Sequence, residues 1–142
     1  MATLGFIGGT GPEGRGLALR FAAAGYRVLL GSRDAARAQV AAAKVAQLLP
    51  GCDIRGVLNK AAARDAETAL VTVPLEGHKS TLEALRSELR GKVVVDVVAP
   101  VAFQEGVARA VPVPEGSVAQ QAQILLPDSQ VVAAFQNISA SD

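Results

Sequence analysis

The stretch GFIGGTGPEGRGLALRFAAAGYRVLLGSRDAARA, residues 5–38, decides the fold of this chain. It sets a glycine-rich loop between two regular segments. Leu4 to Ile7 is short and mostly apolar on both faces, as a buried parallel strand is, and Glu13 to Ala24 carries Ala, Leu and Arg at helical spacing. A second strand over Arg27 to Leu30 and a second helix over Asp34 to Leu49 follow. Gly25 is placed to end the first helix, Asp34 to cap the second, and Pro50-Gly51 to stop it. The alternation continues beyond the quoted stretch. Asp53 to Val57, Thr68 to Val73, Lys92 to Val97 and Gln130 to Phe135 read as further buried strands, and Glu76 to Arg90 and Gly116 to Leu126 as crossover helices. Ala41 to Ala43 and Ala61 to Ala63 are runs of good helix formers.

Alternating strands and helices predict an α/β protein, a Rossmann-type doubly wound parallel sheet with helices on both faces and ligands at the carboxyl ends of the strands. At 142 residues, half of them apolar, residues 1–142 are expected to form a single dinucleotide-binding domain. The formal net charge is +1 and the basic residues are scattered, which argues against nucleic acid or an anionic membrane as partner and for a small molecule. Cys52 is the only cysteine, so no internal disulfide forms, and the N-terminus lacks the pattern of a signal peptide. The densest apolar run, Val93 to Phe103, is broken by Asp96 and Pro100 and is shorter than the ~20 residues of a membrane helix. A cytoplasmic location without membrane contact is the expectation.

Gly9-Thr10-Gly11-Pro12-Glu13-Gly14 fits G-x-G-x-x-G, and its position between a strand and a helix is what gives that short pattern weight. Gly9 is expected to permit the tight turn, Gly11 to let backbone N–H groups approach a pyrophosphate, and Gly14 to let the helix pack close to the strand. The helix N-terminus supplies unpaired N–H groups and partial positive charge. Pro12 suits the first turn of the helix, whereas the carboxylate of Glu13 would repel a pyrophosphate and is expected to point to solvent. NAD-binding proteins of this architecture usually carry Asp or Glu ~20 residues on, at the end of the second strand. Here Gly31-Ser32-Arg33 stands in that place. A small residue, a hydroxyl and a guanidinium suit a 2′-phosphate, and Arg37 lies one helical turn beyond Arg33, so NADP (NADPH) is the expected dinucleotide. Asp34 is better used as a cap than on a ribose.

With Gly8-Gly9-Thr10-Gly11-Pro12-Glu13-Gly14-Arg15-Gly16-Leu17-Ala18-Leu19-Arg20 followed by Gly31-Ser32-Arg33, the chain resembles the NADPH-dependent oxidoreductases of the deazaflavin coenzyme F-420. Thr72-Val73-Pro74 resembles that family's Thr-Ile-Pro segment, Ala99-Pro100-Val101 its loop after the fifth strand, and Val131 to Phe135 its sixth strand. The resemblance implies hydride transfer between NADP(H) and coenzyme F-420 as co-substrate. It also implies Thr10 on the dinucleotide phosphates and Ser32, Arg33 and Arg37 on the 2′-phosphate. Thr72, Val73, Pro74 and Ala99 would line the nicotinamide and its ribose, with Gln136, Asn137 and Ile138 facing the deazaflavin. The sequence departs from the family pattern at Pro12-Glu13 and at Gln136-Asn137-Ile138-Ser139-Ala140. The family's C-terminal helical segment, which completes the pocket and a homodimer, is expected to be absent from this chain.

Hydride transfer between two cofactors needs proximity and a dry pocket rather than a catalytic triad, so the shortage of acid–base residues suits it. His78, the only histidine, is expected at the exposed start of a helix, and Asp96 either bonds a neighbouring loop or touches a ligand. Cys52 is expected to be a structural thiol, and no Cys/His spacing for a metal occurs. Two alternatives remain open: an NADPH-binding redox sensor without catalysis, or an NADPH-dependent reductase of a flavin, a quinone or a ferric chelate. A catalytic short-chain dehydrogenase is excluded, because the only tyrosine, Tyr26, has Leu30 rather than Lys four residues on.

Overall fold

A computed structural model describes residues 2–141. Its elements run β1 (Thr3–Ile7), α1 (Pro12–Ala23), β2 (Arg27–Ser32), α2 (Ala35–Leu48), β3 (Ile54–Leu58), α3 (Asn59–Asp65), β4 (Thr68–Val71), α4 (Leu75–Ala84), β5 (Val93–Asp96), β6 (Val101–Gln104), β7 (Val107–Ala110), α5 (Val118–Leu125) and β8 (Gln130–Ala133). Six strands form one parallel sheet in the order β3-β2-β1-β4-β5-β8, and β6 and β7 form a separate antiparallel hairpin. The doubly wound arrangement expected from the sequence is what folds.

Alternation along the central strands explains the two layers of core. Leu4 and Phe6 of β1 point to one face with Val28 and Leu30 of β2, where Leu17, Ala18 and Ala22 of α1 and Ala41 and Ala42 of α2 cover them. Ile7, Leu29, Ala69 and Val71 point to the other face, covered by Ala62 and Ala63 of α3, Leu82 of α4 and Val118 and Ala122 of α5. Both faces of the strands are buried, so the strands read as apolar runs. Asp34 caps α2 as expected, its carboxylate accepting from the Ala36 N–H at 2.8 Å and the Arg37 N–H at 3.2 Å. Gly25, with φ 94°, follows the end of α1 in the left-handed conformation that closes many helices.

Four expectations change. The helix expected over Glu76 to Arg90 stops at Ala84 and continues as turns, and that expected from Gly116 starts at Val118, after the Ser117 cap. Asn59–Asp65 is a seven-residue helix of its own, which carries the Ala61 to Ala63 run against the sheet. The β6–β7 hairpin lies where no regular element was expected, and β7 is exposed along its whole length. None of the helices is long and apolar enough to cross a membrane among the described residues.

Candidate functional site

The sheet order reverses between β1 and β4, so the loops that leave their carboxyl ends diverge to opposite faces and open a crevice. The glycine loop forms one lip. Its positive-φ residue is Gly8, at 69°, so Gly8 makes the turn that Gly9 was expected to make. A Cβ on Gly9 would sit 2.6 Å from Leu30 Cδ1, and its N–H donates to the Gly31 carbonyl oxygen at 2.8 Å, which ties the loop to the end of β2. Gly14 plays the close-packing part: a Cβ there would lie 2.6 Å from Gly9 Cα. At Gly11, by contrast, a Cβ would meet nothing within 4 Å. That free space beside the first turn of α1 is what a backbone cradle for a pyrophosphate requires, and Gly11 is the residue N-terminal to Pro12, with no side chain capping the helix.

Two clefts flank this loop. The first, about 260 Å³, is lined by Glu13, Thr72, Val73, Leu75, Val97, Val98, Ala99, Val101, Phe135, Gln136 and Ile138. It brings together the residues expected after β4, after β5 and after β8. Thr72 is fixed by two bonds to the Ile7 carbonyl oxygen, from its N–H at 2.9 Å and its hydroxyl at 3.0 Å. Pro74 precedes α4 and is exposed at the edge, and Asn137 is exposed as well. Glu13, expected to point to solvent, is half-buried. Its Oε1 is buried and without a hydrogen-bond partner, in the wall of this cleft.

The second cleft, about 330 Å³, lies on the other side of the loop and is lined by Thr10, Arg15, Ala36, Arg37, Val40, Ala41 and Lys44. Thr10 and Arg37 therefore line one cleft. Arg15 and Lys44 add two cations that sequence reasoning missed, although Arg37, Ala41 and Lys44 are spaced to share one face of α2. Ser32 is buried at the end of β2, where its Oγ accepts from the Asp34 N–H at 3.2 Å and keeps its own proton to donate. Arg33 is exposed beside it.

The buried pair His78–Asp96 corrects a further expectation. His78 is 1% exposed rather than a surface residue, and its Nε2 lies 2.6 Å from Asp96 Oδ2. Asp96 touches loop rather than open cleft: its Oδ1 accepts from the Val98 N–H at 3.0 Å. Its carbonyl oxygen accepts from Gln136 Nε2 at 2.8 Å and from the Ala134 N–H at 3.2 Å. One residue thus joins α4, the loop after β5 and the loop after β8, three of the walls of the first cleft. A further residue that sequence reasoning missed is Asn59, whose Oδ1 accepts from the Gly8 N–H at 2.9 Å and steadies the glycine loop from the first turn of α3.

Among known proteins, the family described as "NADP oxidoreductase coenzyme F420-dependent" matches residues 3–100. The F420-dependent NADP reductase of Methanothermobacter marburgensis is 43% identical over 141 residues, 95% of this chain and 63% of that protein. The protein of that description in Methanocaldococcus jannaschii is 39% identical over 95% of this chain and 63% of its own length. The chain therefore spans less than two thirds of the length of the curated relatives it matches. Among solved structures, that of a protein from Arthrobacter sp. FB24, described as a candidate F420-dependent NADP-reductase, superimposes with a TM-score of 0.77 at 28% identity, covering 99% of this chain and 64% of that one. The family match takes in the glycine loop, the end of β2 and the segments after β4 and β5, and with the identities above it shows that this chain belongs to the coenzyme F420-dependent NADP oxidoreductases.

Proposed function

We propose that the chain binds NADP(H) across the crevice and takes part in hydride transfer between that nucleotide and the deazaflavin coenzyme F-420. The observation that carries the reading is the pair of clefts on either side of one glycine loop, one lined by basic side chains and one mostly by apolar side chains. A dinucleotide has a matching asymmetry. The N-terminus of α1, open at Gly11, suits the pyrophosphate, with Thr10 beside it. The Ser32 hydroxyl and the Arg33 and Arg37 guanidinium groups suit the 2′-phosphate, with Arg15 and Lys44 adding positive potential.

Thr72, Val73, Pro74 and Ala99 would then hold the nicotinamide and its ribose, with Gln136, Asn137 and Ile138 towards the deazaflavin. The bound nucleotide supplies the hydride chemistry. The chain's part is to orient the ring against the valine-lined wall and to exclude water, which its apolar lining favours. We further propose residues 1–142 as one nucleotide-binding domain of a cytoplasmic, homodimeric oxidoreductase with small-molecule partners. That the curated relatives are F420-dependent NADP reductases supports the hydride-transfer reading.

Rapid mixing with NADPH and oxidised F-420, followed by deazaflavin absorbance, tests it. NADPH-dependent bleaching that weakens in Arg33→Ala is the expected result. Tight NADPH binding with no bleaching would instead favour a sensor or another acceptor.

A further inference from the structure

The proposed nucleotide reading leaves one group of the apolar cleft without a task. Glu13 is the only ionisable residue among those lining that cleft, and the remainder are Thr72, Gln136 and apolar side chains. Its Oε1 is shielded from water and has no hydrogen-bond partner, and no lysine, arginine or histidine forms an ion pair with it among the described residues. Glu13 is half-buried, with this one oxygen shielded, and the only positive potential beside it is the partial charge at the start of α1. A ligand that brings a full positive charge into the cleft therefore gains from the carboxylate.

Resting on the assignment of the nicotinamide to this cleft, we infer that Glu13 makes the site discriminate between the redox states of its nucleotide, holding NADP+ in preference to NADPH. The chemistry is one of charge. Loss of a hydride, which carries a proton and two electrons to the acceptor, takes the nicotinamide ring from neutral to a pyridinium cation. A carboxylate in the cleft wall attracts the cation and not the neutral ring. A glutamine of the same shape keeps the hydrogen-bonding capacity and drops the charge, so it separates the electrostatic role from a purely packing one.

The expected effect is on a ratio. The full chain and its Glu13→Gln and Glu13→Leu variants are titrated with NADP+, NADPH and 2′,5′-ADP, the last of which lacks nicotinamide and reports the folded adenosine half. In Glu13→Gln the Kd for NADP+ should rise roughly tenfold, with NADPH and 2′,5′-ADP changed by less than about threefold. Glu13→Leu should shift the NADP+ to NADPH ratio in the same direction.

Unchanged ratios in both variants, with 2′,5′-ADP still bound, would overturn the role of Glu13 and leave NADP binding standing. Equal weakening of all three ligands would also overturn it, by showing that Glu13 only shapes the loop. Failure of the parent chain to bind either NADP+ or 2′,5′-ADP would strike the underlying nucleotide reading instead.

Discussion

Two glycines three residues apart show how differently the same side chain is required. A Cβ at Gly14 would lie 2.6 Å from Gly9 Cα and 2.7 Å from the Gly9 carbonyl oxygen, both backbone atoms that cannot turn aside. Gly14→Ala should therefore destabilise the fold by about 1–3 kcal/mol, read as a lowered denaturation midpoint at unchanged slope. Gly11→Ala meets nothing within 4 Å and should stay within about 1 kcal/mol of the parent, while NADPH affinity falls at least roughly tenfold. The glycine pattern was legible because each position answers to backbone geometry. His78 was not, since its partner Asp96 lies on a different strand and no local spacing announces the pair. Burial makes that pair sensitive to having one member removed: His78→Ala should cost about 3–5 kcal/mol, because the Asp96 carboxylate is left buried without it. Replacing His78 by Leu and Asp96 by Val together should cost less than the sum of the two single changes, a coupling that a double-mutant cycle measures.

At the scale of elements, the parallel strands were visible as β-branched apolar runs and the two long helices as periodic segments with end signals. The short pieces were hidden for physical reasons. α3 has seven residues, too few for a period to show, and is held from outside itself: Lys92 Nζ donates to the carbonyl oxygens of Ala63 and Arg64 at its end, each at 2.6 Å. Partial burial lowers the Lys92 pKa, so those two charge-assisted bonds offset a desolvation cost. The β6–β7 hairpin was hidden because Val101, Phe103 and Val107 are exposed, so no buried face marks either strand. Its turn residues carry a weak signal after all. Glu105 and Gly106 have φ of 51° and 78°, both left-handed as the two-residue type I′ hairpin turn demands, and Glu is poorly suited to the first of them. Glu105→Asn should therefore stabilise the hairpin by about 0.5–1 kcal/mol, seen as slower amide exchange across the Phe103–Ala108 pair.

For the whole molecule, the sheet order places the ends of β1, β2, β4, β5 and β8 along one edge, and the two halves of that edge differ in how far apart their residues lie in the chain. The basic cleft is assembled from residues 10 to 44, one continuous α-β-α stretch, which is why Thr10 and Arg37 could be picked out from spacing. The other cleft draws on Glu13, Thr72, Val98, Ala99 and Gln136, which only the fold brings together, and Glu13 was not expected there. The contrast yields a test of selectivity. If Arg33 and Arg37 answer a 2′-phosphate, their loss must be felt by NADPH and not by NADH, which presents a hydroxyl at that position. Arg33→Ala combined with Arg37→Ala should raise the Kd for NADPH by roughly 10–100-fold and leave that for NADH within about threefold. The loss for NADPH should shrink as salt is raised, because exposed guanidinium groups act on the phosphate through a screened field. Equal loss for both nucleotides would mean that the arginines support α2 rather than the phosphate, and the basic lining of Arg15 and Lys44 would then be the remaining source of the preference.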